Sequence, residues 1–87
     1  MANRKWTVDI SGKTHLVEFK WSMSECSGEV YVDGNPAKTW GSGGSMPSSI
    51  VFNIEESKAV LKKLGGFVED YSLYIGDKKS GVLVTRS

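Results

Sequence analysis

The side chains that could perform catalysis or bind a metal are few in this chain and far apart in its sequence. There is one histidine, His15, and one cysteine, Cys26. An imidazole can activate a thiol as a nucleophile, but no recognisable spacing pairs these two residues. A zinc site built on one His and one Cys would need carboxylates to complete it, which is uncommon. We therefore predict a non-enzymatic protein that has no metal site and no cofactor.

Two other patterns fall short of a catalytic or phosphate-binding motif. Glu69 and Asp70 are adjacent on a presumed strand, so their side chains would point to opposite faces and could not act as an acid–base pair. The glycine-rich residues 41–45 are followed by Met46 and Pro47, whereas a phosphate-binding loop needs a Lys and a Ser or Thr after its glycines. We interpret this segment as a flexible connection between strands.

The composition is that of one small globular domain with no strong charge. Of the 87 residues, 39% are hydrophobic, and the formal net charge is only +1. Nucleic-acid-binding proteins usually concentrate basic residues on one face, so we expect no nucleic-acid partner. No apolar run approaches the ~20 residues that span a bilayer, so we expect no membrane partner. A lone cysteine cannot form an intramolecular disulfide, which favours a reducing, cytoplasmic location.

Alternating apolar and polar residues predict that short β-strands position these side chains. Each alternating run directs one set of side chains inward and the other toward solvent. The clearest turn is Asp33-Gly34, because Gly accepts a positive φ without steric cost and Asp-Gly between strands is a strong hairpin signal. The predicted strands are residues 5–10, 15–21, 29–33, 37–40, 48–54, 67–75 and 82–85.

The order of several short motifs along the chain is similar to that of a known family. The motifs are Trp6-x-Val8-x-Ile10, His15-x-Val17-Glu18-Phe19, Gly28-x-Val30-Tyr31-Val32-Asp33-Gly34, Trp40 and Gly66-Phe67-x-x-x-Tyr71-x-Leu73-x-Ile75. Together they resemble the amino-terminal domain of the Fas apoptotic inhibitory molecule family over nearly the whole chain. The resemblance implies an antiparallel β-sandwich in a cytosolic, non-enzymatic protein that makes protein–protein contacts. Animal members have two related domains and are associated with resistance to death-receptor apoptosis, whereas we expect one domain here.

Residues 55–66 fit two local structures. Ala59, Leu61 and Leu64 are good helix formers, and Gly65 could end a helix. In the context of neighbouring strands, residues 57–64 fit a strand, with Gly65 and Gly66 as a two-residue hairpin loop. The family resemblance favours the strand, which is our prediction.

The predicted fold is a single all-β domain over residues 1–87, an antiparallel β-sandwich of seven or eight short strands. The alternation within each strand selects the core. The predicted core residues are Trp6, Val8, Val17, Phe19, Val30, Val32, Phe52, Tyr71 and Leu73. For Trp21 and Trp40 we also favour the core, although both lie near loops.

The predicted partner site is an open strand edge and the loop that follows it. Edge strands have unpaired backbone groups that can accept another strand. The glycines Gly41, Gly43 and Gly44 allow the loop to rearrange without steric penalty. Trp40 at the rim would supply the amphipathic anchor that interfaces tend to use. The partner would be a protein of unknown identity. The simpler alternative is a loop that only connects two strands over a buried Trp40.

The sequence leaves two other functions open, each with its own structural requirement. A small-ligand or glycan-binding domain would need Trp21 or Trp40 to be exposed beside a groove. An enzyme would need His15 in a concave site beside Cys26 or a carboxylate.

Overall fold

The strands of the computed structural model form two antiparallel sheets that pack together as a β-sandwich. The structure describes residues 2–22, 27–40, 48–64, 70–76 and 78–86, and none of these is helical. The strands are β1 (Ala2–Ile10), β2 (Lys13–Ser22), β3 (Ser27–Val32), β4 (Asn35–Trp40), β5 (Ser49–Ile54), β6 (Ser57–Leu64), β7 (Asp70–Ile75), β8 (Lys78–Lys79) and β9 (Val82–Arg86). The five-stranded sheet has the order β4-β3-β2-β1-β9, and the four-stranded sheet has the order β5-β6-β7-β8.

The predicted all-β sandwich is confirmed. The predicted strands are present within the described residues, and their ends differ from the prediction by up to three residues. Eight of the described strands have five or more residues, in agreement with the seven or eight that were predicted. The additional strand, β8, was not predicted, because two lysines are too short to show any alternation. Residues 67–69, which were predicted as the start of β7, lie outside the described residues.

β6 forms as a strand, which confirms the prediction made against its local helix propensity. Ala59 and Leu61 are completely buried and lie opposite Phe52 and Ile50 of β5. On the other side of β6, Leu73 of β7 lies opposite Leu61. Pairing and burial on both sides therefore outweigh the preference of Ala59 and Leu61 for helix.

Two-residue turns connect β1 to β2 and β3 to β4 in the five-stranded sheet. Ser11 and Gly12 have φ values of 52° and 80°, and Asp33 and Gly34 have 52° and 83°. Positive φ at both central residues is typical of the type I′ turn, whose twist matches that of the strands it joins. The second turn is the predicted Asp-Gly hairpin.

The core between the sheets contains most of the predicted core residues. Those that are buried are Trp6, Val8, Val17, Phe19, Val30, Phe52, Tyr71 and Leu73. Trp21 is also buried, as expected, and its ring stacks on Phe19 with 4.6 Å between ring centroids. The prediction for Val32 is only partly right. It packs against the core but is partly exposed, because it ends β3 opposite the exposed Asn35.

Candidate functional site

β4, which leads into the predicted partner site, is an outer strand of the five-stranded sheet. Among the described strands it pairs only with β3. Residues 35–39 are all exposed. Successive side chains of a strand point to opposite faces, so both faces of β4 are in contact with solvent over this length. β4 therefore combines an open edge with two exposed faces.

A bulge interrupts the pairing of β4 with β3. Val30 lies opposite Lys38, whereas Tyr31 lies opposite Pro36, so Ala37 is the additional residue. Bulges, prolines and lysines on an outer strand limit its pairing with other chains. Residues 35–37 of β4, near the turn, are therefore poorly suited to pairing with another chain. Residues 38–40, which pair regularly with β3, are better suited to it.

The direction of the backbone groups follows from the hydrogen bonds on the other side of β3. The Asp33 N–H donates to the Leu16 carbonyl at 2.8 Å. Hydrogen-bonded pairs alternate along an antiparallel ladder, so Tyr31 also bonds toward β2, and Val30 and Gly28 bond toward β4. Thr39, opposite Glu29, then directs its N–H and carbonyl away from the sheet.

The residues of the predicted partner site are only partly described. The backbone of Trp40 ends β4 opposite Gly28. The Trp40 side chain and the residues Gly41, Gly43 and Gly44 lie outside what the structure describes. Since Trp21 is 1% exposed, it cannot present its ring to a sugar, and the glycan-binding alternative depends on Trp40 alone.

A cluster of ionisable groups surrounds His15. His15 Nδ1 lies 2.7 Å from Asp33 Oδ2. The other carboxylate oxygen of Asp33 accepts a hydrogen bond from the Leu16 N–H at 2.9 Å. An ionised carboxylate can only accept, so Nδ1 carries the proton in this contact. The Asp33 side chain therefore ties the turn after β3 to β2.

The second nitrogen of His15 faces the other sheet. Its Nε2 lies 3.6 Å from Oε1 of Glu55, a residue of the turn between β5 and β6. The same oxygen is 3.7 Å from Nζ of Lys13. Lys13 and His15 belong to β2, so these contacts link the two sheets electrostatically. Glu55 has a φ of +55°, which is unfavourable for a residue other than glycine.

Asp33 is stabilised in its ionised form. The pKa of its carboxyl is lowered from the ordinary value of 3.8, first by the hydrogen bond from the Leu16 N–H and then by the one from His15. Charge-assisted hydrogen bonds of this kind favour the carboxylate over the acid.

The geometry at His15 suits a structural role better than a catalytic one. A general base must come within hydrogen-bonding reach of the proton that it abstracts. His15 Nδ1 is occupied by Asp33, and its Nε2 is buried, with no hydrogen-bond partner in the described part of the chain. The two carboxylates face different nitrogens of one ring, and no group of three or more His, Cys, Asp or Glu among the described residues is arranged to hold a metal ion. Cys26, the other residue considered for catalysis, lies outside the described residues.

Sequence reasoning missed this cluster, although part of its signal was present. Once β2 and β3 are paired with Val17 opposite Val32, Asp33 must lie opposite Leu16 and next to His15. The His15–Asp33 contact therefore follows from the pairing of β2 with β3, which was not predicted. Glu55 comes from the other sheet, and no local pattern indicates which turn lies above His15.

The fold and its contacts define a small antiparallel β-sandwich with an open outer strand and a buried histidine between two acidic turns. No helix in the described segments is long and apolar enough to cross a bilayer. No protein-family model matches the chain, and no curated protein is significantly similar to it.

Proposed function

We propose that this domain is a non-enzymatic protein-interaction domain that binds an extended segment of a partner protein along β4 and the loop after it. The observation that carries the proposal is the position of β4, which is an outer strand with both faces exposed. An extended segment can add to such an edge through backbone hydrogen bonds, while its side chains contact the exposed faces. The resemblance to the Fas apoptotic inhibitory molecule family supports protein binding, a cytoplasmic location and a link to apoptosis regulation.

The backbone of β4 indicates where the partner segment would pair. Pro36 has no N–H to donate, and the bulge at Ala37 disturbs the ladder beside it. Thr39 has both an outward N–H and an outward carbonyl. The partner would therefore pair at Thr39 and continue along the loop, with Trp40 between the two as an anchor.

The experiment compares two substitutions of the same residue. Thr39→Pro removes the outward N–H, whereas Thr39→Val keeps the backbone donor and nearly the same side-chain shape. Proline is tolerated on an outer strand where its N–H would face solvent, and circular dichroism checks that both variants fold. A partner captured from the source organism with the wild-type domain is then titrated against each variant.

We expect Thr39→Pro to weaken binding of this partner at least tenfold and Thr39→Val to leave it unchanged. Deletion of Gly43 and Gly44 should also weaken binding in the folded protein. A partner that binds Thr39→Pro as tightly as the wild type would remove β4 from the interface. Failure to recover any reproducible partner would count against the function itself.

A further inference from the structure

Among the described residues, four strands lie at the outer edges of the two sheets, and they differ in how well they are protected against pairing with another chain. β4 has a proline and a bulge, and β8 has only two residues. In β9, the pairing with β1 shifts between Lys5 and Trp6, which leaves one additional residue in β9. These are the usual devices that prevent sheet edges from associating. β5 has none of them, since its six residues, Ser-Ile-Val-Phe-Asn-Ile, contain no charge and no proline and pair with β6 in an unbroken register.

The hydrogen bonds of the neighbouring strand show which groups of β5 point outward. The Lys63 N–H of β6 donates to the Ser48 carbonyl at 2.8 Å, which makes Ser48 and Lys63 a hydrogen-bonded pair. By the alternation of an antiparallel ladder, Ile50, Phe52 and Ile54 also bond to β6. Ser49, Val51 and Asn53 therefore direct their N–H and carbonyl groups away from the sheet. These three residues form the β5 edge.

We propose that the β5 edge pairs with the β5 edge of a second copy of this chain, so that the two four-stranded sheets become one continuous sheet. An antiparallel pair of identical strands has two-fold symmetry and needs a self-complementary surface. With Val51 opposite Val51 of the other copy, Ser49 of each copy lies opposite Asn53. In this register every outward N–H and carbonyl of the β5 edge has a partner. If the register shifted by two residues, a residue of the β5 edge would lie opposite the turn residue Glu55 of the other copy, or opposite a residue before Ser48. The β5 edges would then no longer supply partners for all of their own outward groups.

The side chains on the outer face fit the same register. Val51 is 44% exposed and lies opposite Val60 of β6, which in turn lies opposite Tyr74 of β7. Joining two copies at Val51 would therefore extend this apolar row across both molecules and cover the exposed valine.

Charge does not oppose the pairing. The nearest described charges on this face that flank the β5 edge are Lys58 and Lys62, which lie opposite Asn53 and Ser49. In the paired sheets, Lys62 of one copy and Lys58 of the other would be separated by three strand spacings, about 14 Å. This distance exceeds the Debye length of ~8 Å at physiological salt, so their repulsion would be largely screened.

Sedimentation equilibrium tests the proposal on the whole chain. A contact through one strand is small, so we expect weak association that becomes measurable between about 10 μM and about 1 mM protein. Val51→Lys would place like charges directly opposite each other and should shift the midpoint of dimerisation at least tenfold toward higher concentration. Val82→Lys is the matched control, because Val82 is also an exposed valine on an outer strand, at 69% exposure, and it should leave the midpoint unchanged.

Cross-linking tests the register without depending on the stability of the lysine variant. In a background of Cys26→Ser, Val51→Cys should form a disulfide-linked dimer under mild oxidation, since paired residues in such a ladder have Cα atoms about 5.5 Å apart. Asn53→Cys alone should not, because Ser49 lies opposite it. A wild-type chain that stays monomeric at about 1 mM, or a dimer weakened only by Val82→Lys, would overturn the proposal. Thr39→Pro should leave dimerisation intact, which separates this interface from the proposed partner site on β4.

Discussion

His15 of β2 and Asp33 of the turn after β3 are in direct contact, with 2.7 Å between His15 Nδ1 and Asp33 Oδ2. Asp33 also accepts the Leu16 N–H and, through its own N–H, donates to the Leu16 carbonyl. The Asp-Gly turn before β4 is therefore fixed to β2 by three hydrogen bonds that involve one residue. Because β4 begins directly after this turn, the same contacts determine how the outer strand leaves the sheet.

Replacing Asp33 should show how much these side-chain contacts contribute to the free energy of unfolding. Asn tolerates positive φ and can still accept the Leu16 N–H, whereas Ala loses both side-chain contacts and is strained at φ +52°. We expect Asp33→Asn to cost up to about 1 kcal/mol and Asp33→Ala about 2 kcal/mol, after allowing for the partial exposure of the carboxylate. Urea unfolding of both variants measures the difference. Equal costs would mean that the side chain contributes little.

The lowered pKa of Asp33 predicts how stability depends on acid. A carboxyl whose pKa is lower in the folded state contributes stability that is fully present above its unfolded value of 3.8 and is lost as the pH falls through its folded pKa. The wild type should therefore lose more stability than Asp33→Asn as the pH falls below about 4. Thermal unfolding across this range checks the prediction. Parallel pH profiles for the two proteins would contradict it.

Glu55 combines a favourable contact with an unfavourable backbone conformation, and two substitutions separate these effects. Glu55→Gln keeps the strained φ but removes the charge that faces His15 and Lys13. Glu55→Gly removes the side chain and relieves the strain. We expect Glu55→Gln to cost less than about 1 kcal/mol, because the pair is partly exposed. Glu55→Gly should be more stable than Glu55→Gln by up to about 1 kcal/mol, and the opposite order in urea unfolding would show that φ +55° carries no strain.

The burial difference along β3 predicts unequal costs for the same substitution. Val30 is completely buried, whereas Val32 is only partly buried at the end of the strand. Val30→Ala should therefore cost about 2–3 kcal/mol and Val32→Ala about 1 kcal/mol. Similar values for the two variants would indicate that the end of β3 is packed as tightly as its centre.

The sequence predicts most of the fold because period-2 alternation and turn residues are local signals. Residues 5–10 and the Asp33-Gly34 turn carry these signals directly. β6 required context, since Ala59 and Leu61 prefer helix in isolation and become strand residues through pairing with β5 and β7.

The candidate sites were harder to predict because they depend on how the sheets are arranged. The His15–Asp33 contact depends on the pairing of β2 with β3, whereas the predicted Asp33-Gly34 hairpin joins β3 to β4. The structural role of this contact also depends on the burial of His15. The contact with Glu55 depends on how one sheet lies over the other. The protection of β4 near its turn, which β5 lacks, depends partly on the bulge between the pairs Val30–Lys38 and Tyr31–Pro36, which no local pattern indicated.

Amide hydrogen exchange at Thr39 tests the open edge of β4 most directly. In the isolated protein, the Thr39 N–H should exchange rapidly, whereas the Tyr31 N–H, which bonds toward β2, should exchange slowly. When a partner segment binds along β4, the Thr39 amide should become protected, while Tyr31 should change little. If Thr39 is as protected as Tyr31 in the isolated protein, or stays unprotected in the complex, β4 is not the strand that receives the partner.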